Sequence, residues 1–211
     1  MINSLEKINN IIFDLGGVII NLDMESTYWA FKKLATGKDV PLFTYTIQHE
    51  IFKQFEVGAI DTATFLQGLR ELIGPATDVE LIAAWNAMLL DIPAERVALL
   101  RKLKGKYRTF LFSNTNQIHF EGFNNILNDA HGLPNLDPLF EKVYFSHTMG
   151  LRKPDVASFL QIINENGLVP SETLFLDDTA GHLEGAKLAG LQTMLVSHEN
   201  QIVDIFGEIN D

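Results

Sequence analysis

The 211-residue sequence contains no cysteine, which excludes disulfide scaffolds, thiolate metal sites and cysteine nucleophiles together. Any chemistry must run on oxygen and nitrogen atoms. Positive charge is scarce: 16 Lys and Arg stand against 27 Asp and Glu, a formal net charge of −11. Such a surface repels phosphate backbones and anionic lipid, so neither nucleic acid nor a membrane is an expected partner. Long hydrophobic runs are missing too. Met1 to Asn10 is charged without an apolar stretch, and the next apolar segment is broken by Asp14, so no signal peptide or membrane span is read and a cytoplasmic protein is expected. Proline is sparse, at 7, and no repeat or low-complexity tract appears. What remains, 46% hydrophobic and 20% charged residues, suits a packed domain with room for an insertion.

Five short apolar runs read as buried strands: Ile11–Phe13, Thr109–Phe112, Val143–Phe145, Thr173–Leu176 and Thr193–Val196. Their apolarity is continuous rather than alternating, as required of parallel strands covered on both faces. Helical patterns lie between them, at Pro93–Lys104, Asp155–Asn166 and Gly181–Ala189, the last stopped by Gly190. Strand and helix alternate, so the fold class is α/β with a parallel sheet of about five strands. From about Asp23 to Leu90 the pattern is helical with no strand, with Trp29, Phe31 and Leu34 on one segment and Phe65, Leu69 and Leu72 on another. An insertion leaving the first strand at its carboxyl end is placed to act as a lid. The expected division is residues 1–20 and 91–211 as the core and 21–90 as a helical cap, with Trp29 and Trp85 in the cap's own core.

The carboxyl ends of parallel strands share one edge, and here those ends are polar. The first ends at Asp14, followed by Leu15-Gly16-Gly17. The second ends at Ser113-Asn114, Lys153-Pro154 follows the third, and the fourth ends at Asp177-Asp178. Three carboxylates converging on one edge repel each other unless a cation holds them, and Mg²⁺ with oxygen ligands is the simple answer. A hydroxyl, an amide and an ammonium around the same point can cradle an anion.

Phe13-Asp14-Leu15-Gly16-Gly17-Val18, Phe112-Ser113-Asn114, Gly150-Leu151-Arg152-Lys153-Pro154-Asp155 and Leu176-Asp177-Asp178 resemble, in order, the four motifs of the haloacid dehalogenase-like (HAD) hydrolase superfamily. The resemblance spans residues 11–196. Ser113-Asn114-Thr115-Asn116 with His119, and Asp177-Asp178 followed by Glu184-Gly185-Ala186, are similar to the bacterial α-D-glucose-1-phosphate phosphatase-like group. The resemblance implies a Rossmann-like core, a helical cap, and an Mg²⁺-dependent phosphatase that acts on a small phosphorylated metabolite, a sugar phosphate first, through an aspartyl-phosphate. Asp14 is then the nucleophile. Asp14, the Gly16 carbonyl, Asp177 and Asp178 hold the metal, and Ser113, Asn114 and Lys153 bind the phosphoryl oxygens.

One position departs from the pattern. Most phosphatases of the superfamily carry a second Asp two residues after the nucleophile, as acid for the leaving group; here that residue is Gly16. Loss of a general acid costs ~10²–10⁴-fold in the step it serves. Two alternatives follow: a catalytically weak protein that keeps the fold for binding, or a metal-independent 2-haloacid dehalogenase, against which the Asp177-Asp178 pair argues. His119 is expected at the cap interface in a structural role and His182 as a supporting residue. His49, His131, His147 and His198 show no metal-ligand spacing.

Overall fold

A computed structural model describes residues 7–35 and 50–207; the stretch 36–49 of the expected insertion, His49 included, lies outside the described residues. The elements run in the order β1 (Asn10–Phe13), α1 (Met24–Leu34), α2 (Glu50–Glu56), α3 (Thr62–Ile73), α4 (Asp78–Asn86), α5 (Ala94–Lys104), β2 (Arg108–Ser113) and α6 (Gln117–His131). They continue with β3 (Lys142–Phe145), α7 (Ser146–Met149), α8 (Val156–Asn166), β4 (Thr173–Asp177), α9 (Ala180–Leu188), β5 (Gln192–Leu195) and α10 (Ile202–Ile205). All five expected strands form, and they make one parallel sheet in the order β3-β2-β1-β4-β5. The fold is a Rossmann-like α/β sheet with helices on both faces.

The two faces follow from the period of two along each strand. Ile11 and Phe13, Leu111, and Leu174 and Leu176 enter one core, under α5, α6 and α10. The alternating Ile12, Phe110, Phe112 and Phe175 enter the other, under α8 and α9. That double coverage explains why these strands read as unbroken apolar runs.

The segment between β1 and β2 builds a third core of its own from Phe31, Phe52, Phe55, Phe65, Leu69, Leu81 and Trp85, to which α6 contributes Ile118. Phe55 stacks on Phe65 with ring centroids 4.1 Å apart, and Phe52 stacks on Trp85 at 5.3 Å. Trp29 corrects the expectation that both tryptophans are interior: it is 57% exposed, against the edge of Tyr28 and under the Lys32 ammonium. Residues two apart on a helix point roughly 200° from one another, so Phe31 and Trp29 cannot both face the core.

A polar joint ties this helical segment to the sheet. Asn116 caps α6 by accepting from the His119 backbone N–H (3.1 Å), and the same oxygen accepts from the Trp85 indole N–H at 3.2 Å. The His119 ring lies flat on Trp85, 4.9 Å between centroids. Its Nδ1 meets the Asn116 amide at 3.2 Å and its Nε2 meets the Trp85 carbonyl at 3.0 Å, which fixes a neutral imidazole that donates from Nε2. Burial pushes His119 down to about 4, the bond to the Trp85 carbonyl only partly opposing it.

Two outcomes are expected. The unfolded chain protonates His119 near 6.5 and the folded protein near 4, so stability contributed by the neutral ring is present above 6.5 and drains as pH falls through that window. The urea stability of the native protein relative to His119→Phe, in which the other titrating groups are common to both, should fall by about 2 kcal/mol between about pH 7 and pH 5. At Gly185 in α9, an added Cβ would lie 1.9 Å from the Pro154 carbonyl oxygen, so helix and loop touch backbone to backbone. Alanine ordinarily gains about 1 kcal/mol over glycine inside a helix, yet Gly185→Ala should destabilise by about 1–3 kcal/mol, read as a lower urea midpoint.

Candidate active site

The register of the central strands sets the site. Phe13 pairs with Leu176, so the next residues, Asp14 and Asp177, emerge side by side at the carboxyl edge, and the Asp14 N–H is held by the Leu176 carbonyl at 2.9 Å. The chain leaves β1 toward β2 on one side and later returns to β4 on the other. These carboxylates therefore stand at the point where the strand order reverses, the usual ligand crevice of such sheets.

Lys153 reaches them from the loop before α8. Its Nζ donates to Asp14 Oδ1 at 2.6 Å and to Asp177 Oδ2 at 2.7 Å, with none of the lysine exposed. The Phe112 and Phe175 rings flank the ammonium, each centroid 5.4 Å away. Asp177 Oδ1 accepts from the Thr179 N–H at 2.8 Å and from the His182 ring at 3.0 Å, so every oxygen of this fully buried carboxylate has a donor.

The charges respond in opposite ways. Burial pushes Asp14 up to about 7, Lys153 pulling it down and Asp177 adding to the rise. Burial also works on Asp177, but Lys153 and His182 outweigh it and hold that carboxyl below the ordinary range. Desolvation drives the Lys153 ammonium toward neutrality, yet the two carboxylates win and raise it. Asp178 is lifted by burial and then by its neighbour Asp177.

Asp14, Asp177 and Asp178 present oxygens that all lie within 4.8 Å of one another, the one acidic cluster of that kind among the described residues. One ammonium against three carboxyls leaves negative charge in excess. An all-oxygen donor set with excess negative charge fits a hard divalent ion such as Mg²⁺. The turn after β1 is shaped for the same cluster: Gly17 has φ +68, and a Cβ there would lie 2.2 Å from Asp178 Oδ2, so only glycine lets the turn approach that carboxylate. At Gly16 a Cβ would meet Leu22 Cδ1 at 2.7 Å, the tip of a partly buried side chain that would have to turn aside.

Ser113 ends β2 with 4% exposure, and its hydroxyl makes only a long 3.5 Å contact with the Asn114 carbonyl, which leaves it uncommitted. Asn114 faces another way: its amide donates to the Lys153 carbonyl at 3.0 Å and its oxygen accepts from the Lys153 N–H at 2.9 Å. The structure thus brings Asp14, Lys153, Asp177 and Asp178 into one cluster, with Ser113 on the strand beside β1. It sets Asn114 against the lysine's backbone and His119 in the joint described above.

Sequence reading missed a second ring of contacts. Ser146, fully buried at the start of α7, accepts from the Thr115 N–H at 2.9 Å and reaches the Glu56 carbonyl at 2.6 Å. Glu56, at the end of α2, takes the Arg152 Nε–H at 2.7 Å. Burial raises Glu56 against the pull of Arg152, and its field reaches His182 and Lys153. These partners lie 90 and 96 residues apart, so no local pattern announces them.

Known proteins share this fold and much of this sequence. The chain matches the haloacid dehalogenase-like hydrolase family over residues 8–190. It is 31% identical over 188 residues to a D-ribitol-5-phosphate phosphatase of Bacteroides thetaiotaomicron, covering 88% of this chain and 90% of that one. A HAD family enzyme of the same organism, solved in complex with magnesium and inorganic phosphate, superposes with a TM-score of 0.85 at 35% identity, covering 94% of this chain and 99% of that one. A predicted HAD-like family hydrolase from Porphyromonas gingivalis gives 0.85 at 31%, covering 97% and 99%. Among the described residues no helix is long and apolar enough to cross a membrane. With the motifs in order on the strand ends, the lysine-bridged acids at the reversal point and the match over most of its length, the chain belongs to the haloacid dehalogenase-like hydrolase family.

Proposed function

We propose that the protein is an Mg²⁺-dependent phosphatase that hydrolyses a small phosphorylated metabolite, in the first place a sugar phosphate, through an aspartyl-phosphate. The observation that carries this reading is the buried Lys153 ammonium bridging Asp14 and Asp177, with Asp178 beside them. Similarity to a phosphatase named for a polyol phosphate, and to an enzyme solved with magnesium and phosphate, supports it.

In this reading Lys153 holds Asp14 Oδ1 and leaves Oδ2 as the attacking oxygen. The Asp14 carboxylate forms a bond to phosphorus, the bond from phosphorus to the ester oxygen breaks, and the leaving group departs with the electron pair. Water then bonds the same phosphorus as the bond from phosphorus to the Asp14 oxygen breaks, returning the electron pair to the carboxylate and releasing inorganic phosphate; the proton that water loses to solvent matches the one the leaving oxygen takes from it. Two steps through an acyl phosphate replace one difficult displacement. The Ser113 hydroxyl and the remaining Lys153 N–H donate to the phosphoryl oxygens as charge develops there. Asp14, Asp177, Asp178 and the Gly16 carbonyl would hold Mg²⁺, which supplies positive charge for the phosphoryl oxygens when bound. Asp177 contributes more by fixing Lys153 and His182, since its oxygens already have donors. Residues 21–90 serve as the cap, and its helix α2 meets the loop that carries Lys153 through Glu56, Arg152 and Ser146.

Hydrolysis of an aryl phosphate should require Mg²⁺ and vanish in Asp14→Asn, whose amide cannot form the acyl-phosphate intermediate. Full activity in that variant, or in excess chelator, would sink the mechanism. Because burial lifts Asp14 to about 7, a proton competes with the metal, and calorimetry should show Mg²⁺ binding weaken as pH falls from about 8 to about 6.

Gly16 has no side chain and supplies no acid to the leaving group. The rate should therefore fall steeply with rising leaving-group pKa, from aryl phosphates and sugar 1-phosphates down to simple alkyl phosphates. A shallow dependence that steepens in Glu56→Gln would instead assign the acid to Glu56.

A further inference from the structure

The geometry points to Asn114 as a positioning residue that fixes the backbone of Lys153, rather than a ligand of the phosphoryl group. The inference rests on Lys153 working in the site as proposed above. Its basis is the paired contact between the Asn114 carboxamide and the Lys153 peptide groups, donor to acceptor at 3.0 Å and acceptor to donor at 2.9 Å. A side-chain amide used in this way imitates one rung of a β-ladder between two segments that share none. Among the described residues no other hydrogen bond reaches the Lys153 N–H or carbonyl, so the asparagine satisfies both groups of that residue alone.

The reason such a clamp matters lies at the other end of the lysine. The ammonium must sit within hydrogen-bond distance of two carboxylates at once, between two phenylalanine rings, at the tip of a flexible four-carbon stem. Holding only the tip leaves the loop free to slide, and the loop's next residues, Pro154 and Asp155, lead straight into α8. Asn114 follows directly on the end of β2, one of the most deeply buried strands, so it carries the rigidity of the sheet to the loop across 39 residues of chain. Asn114 is thus committed to Lys153, while the neighbouring Ser113 hydroxyl stays uncommitted. Adjacent residues of one motif divide the labour: Ser113 is left for the ligand and Asn114 for the lysine.

The test is a double-mutant cycle on aryl phosphate hydrolysis with native protein, Asn114→Ala, Lys153→Ala and the double variant. Asn114→Ala should lower kcat by roughly 10²-fold, the size of effect that a small misplacement of a catalytic group produces. In the Lys153→Ala background the same change should cost no more than about twofold further, because the residue it positions is gone. Losses that multiply would show that Asn114 acts on the substrate independently and would overturn the inference. If Lys153→Ala is impaired but Asn114→Ala matches the native enzyme, this inference fails alone; if Lys153→Ala itself is unimpaired, the functional reading fails with it. A readout independent of turnover completes the test: amide hydrogen exchange at Lys153 should be protected in the native protein and fast in Asn114→Ala, and unchanged protection would overturn the clamp. Should the alanine variant not fold, Asn114→Ser, whose hydroxyl reaches only one of the two backbone groups, carries the same measurements.

Discussion

An ammonium with no exposed surface keeps its charge only where opposite charge and hydrogen bonds replace the water it has lost, and Lys153 meets that condition between Asp14 and Asp177. Removing one partner of such a buried pair typically costs about 3–5 kcal/mol, because the survivor is left uncompensated. The three residues come from β1, from the loop before α8 and from β4, so their meeting requires the sheet register, the loop and the helix behind it to be right together. Gly185 lets α9 press on Pro154, Asn114 clamps the Lys153 peptide, and Gly17 lets the first turn close on Asp178. Much of the local architecture around the strand ends serves this one cluster.

The same cluster explains how a strongly acidic protein can handle an anion. Three carboxyls and one ammonium are poorly suited to a phosphate by themselves, since like charges a few ångströms apart repel. A hard dication together with the ammonium offsets the three carboxylates at the point where phosphate would sit, while the remaining surface stays negative. Charge over the whole chain and charge at the site are separate matters.

Coupling between the helical segment and the sheet runs through two different chemistries. On one side Trp85, Asn116 and His119 form a neutral, stacked and fully hydrogen-bonded joint. On the other, Glu56 and Arg152 form an ion pair next to Lys153 itself, backed by Ser146. The first pins the end of α4 to the start of α6. The second places it directly against the site, so movement of α2 is felt by the residue preceding the bridging lysine.

The strands were legible because a parallel strand covered on both faces must be apolar at every position, and Ile11 to Phe13 or Thr173 to Leu176 satisfy that locally. The site acids were legible for a related reason: Asp14 and Asp177 end those strands, and parallel strands end together. Lys153 was placed at the same edge by its position after the third strand, and the resemblance of the four motifs gave it a role there. What sequence could not supply was direction and partnership. Trp29 and Phe31 look alike in a hydrophobic pattern, yet only packing decides which one faces inward. The motif does not announce that the Asn114 carboxamide meets a peptide group 39 residues away, and Ser146 and Glu56 carry no signal at all. Short-range period and composition determined the fold class and the residue types at the edge of the sheet. Hydrogen-bond partners far apart in the chain are decided only when tertiary structure brings their backbones within about 3 Å.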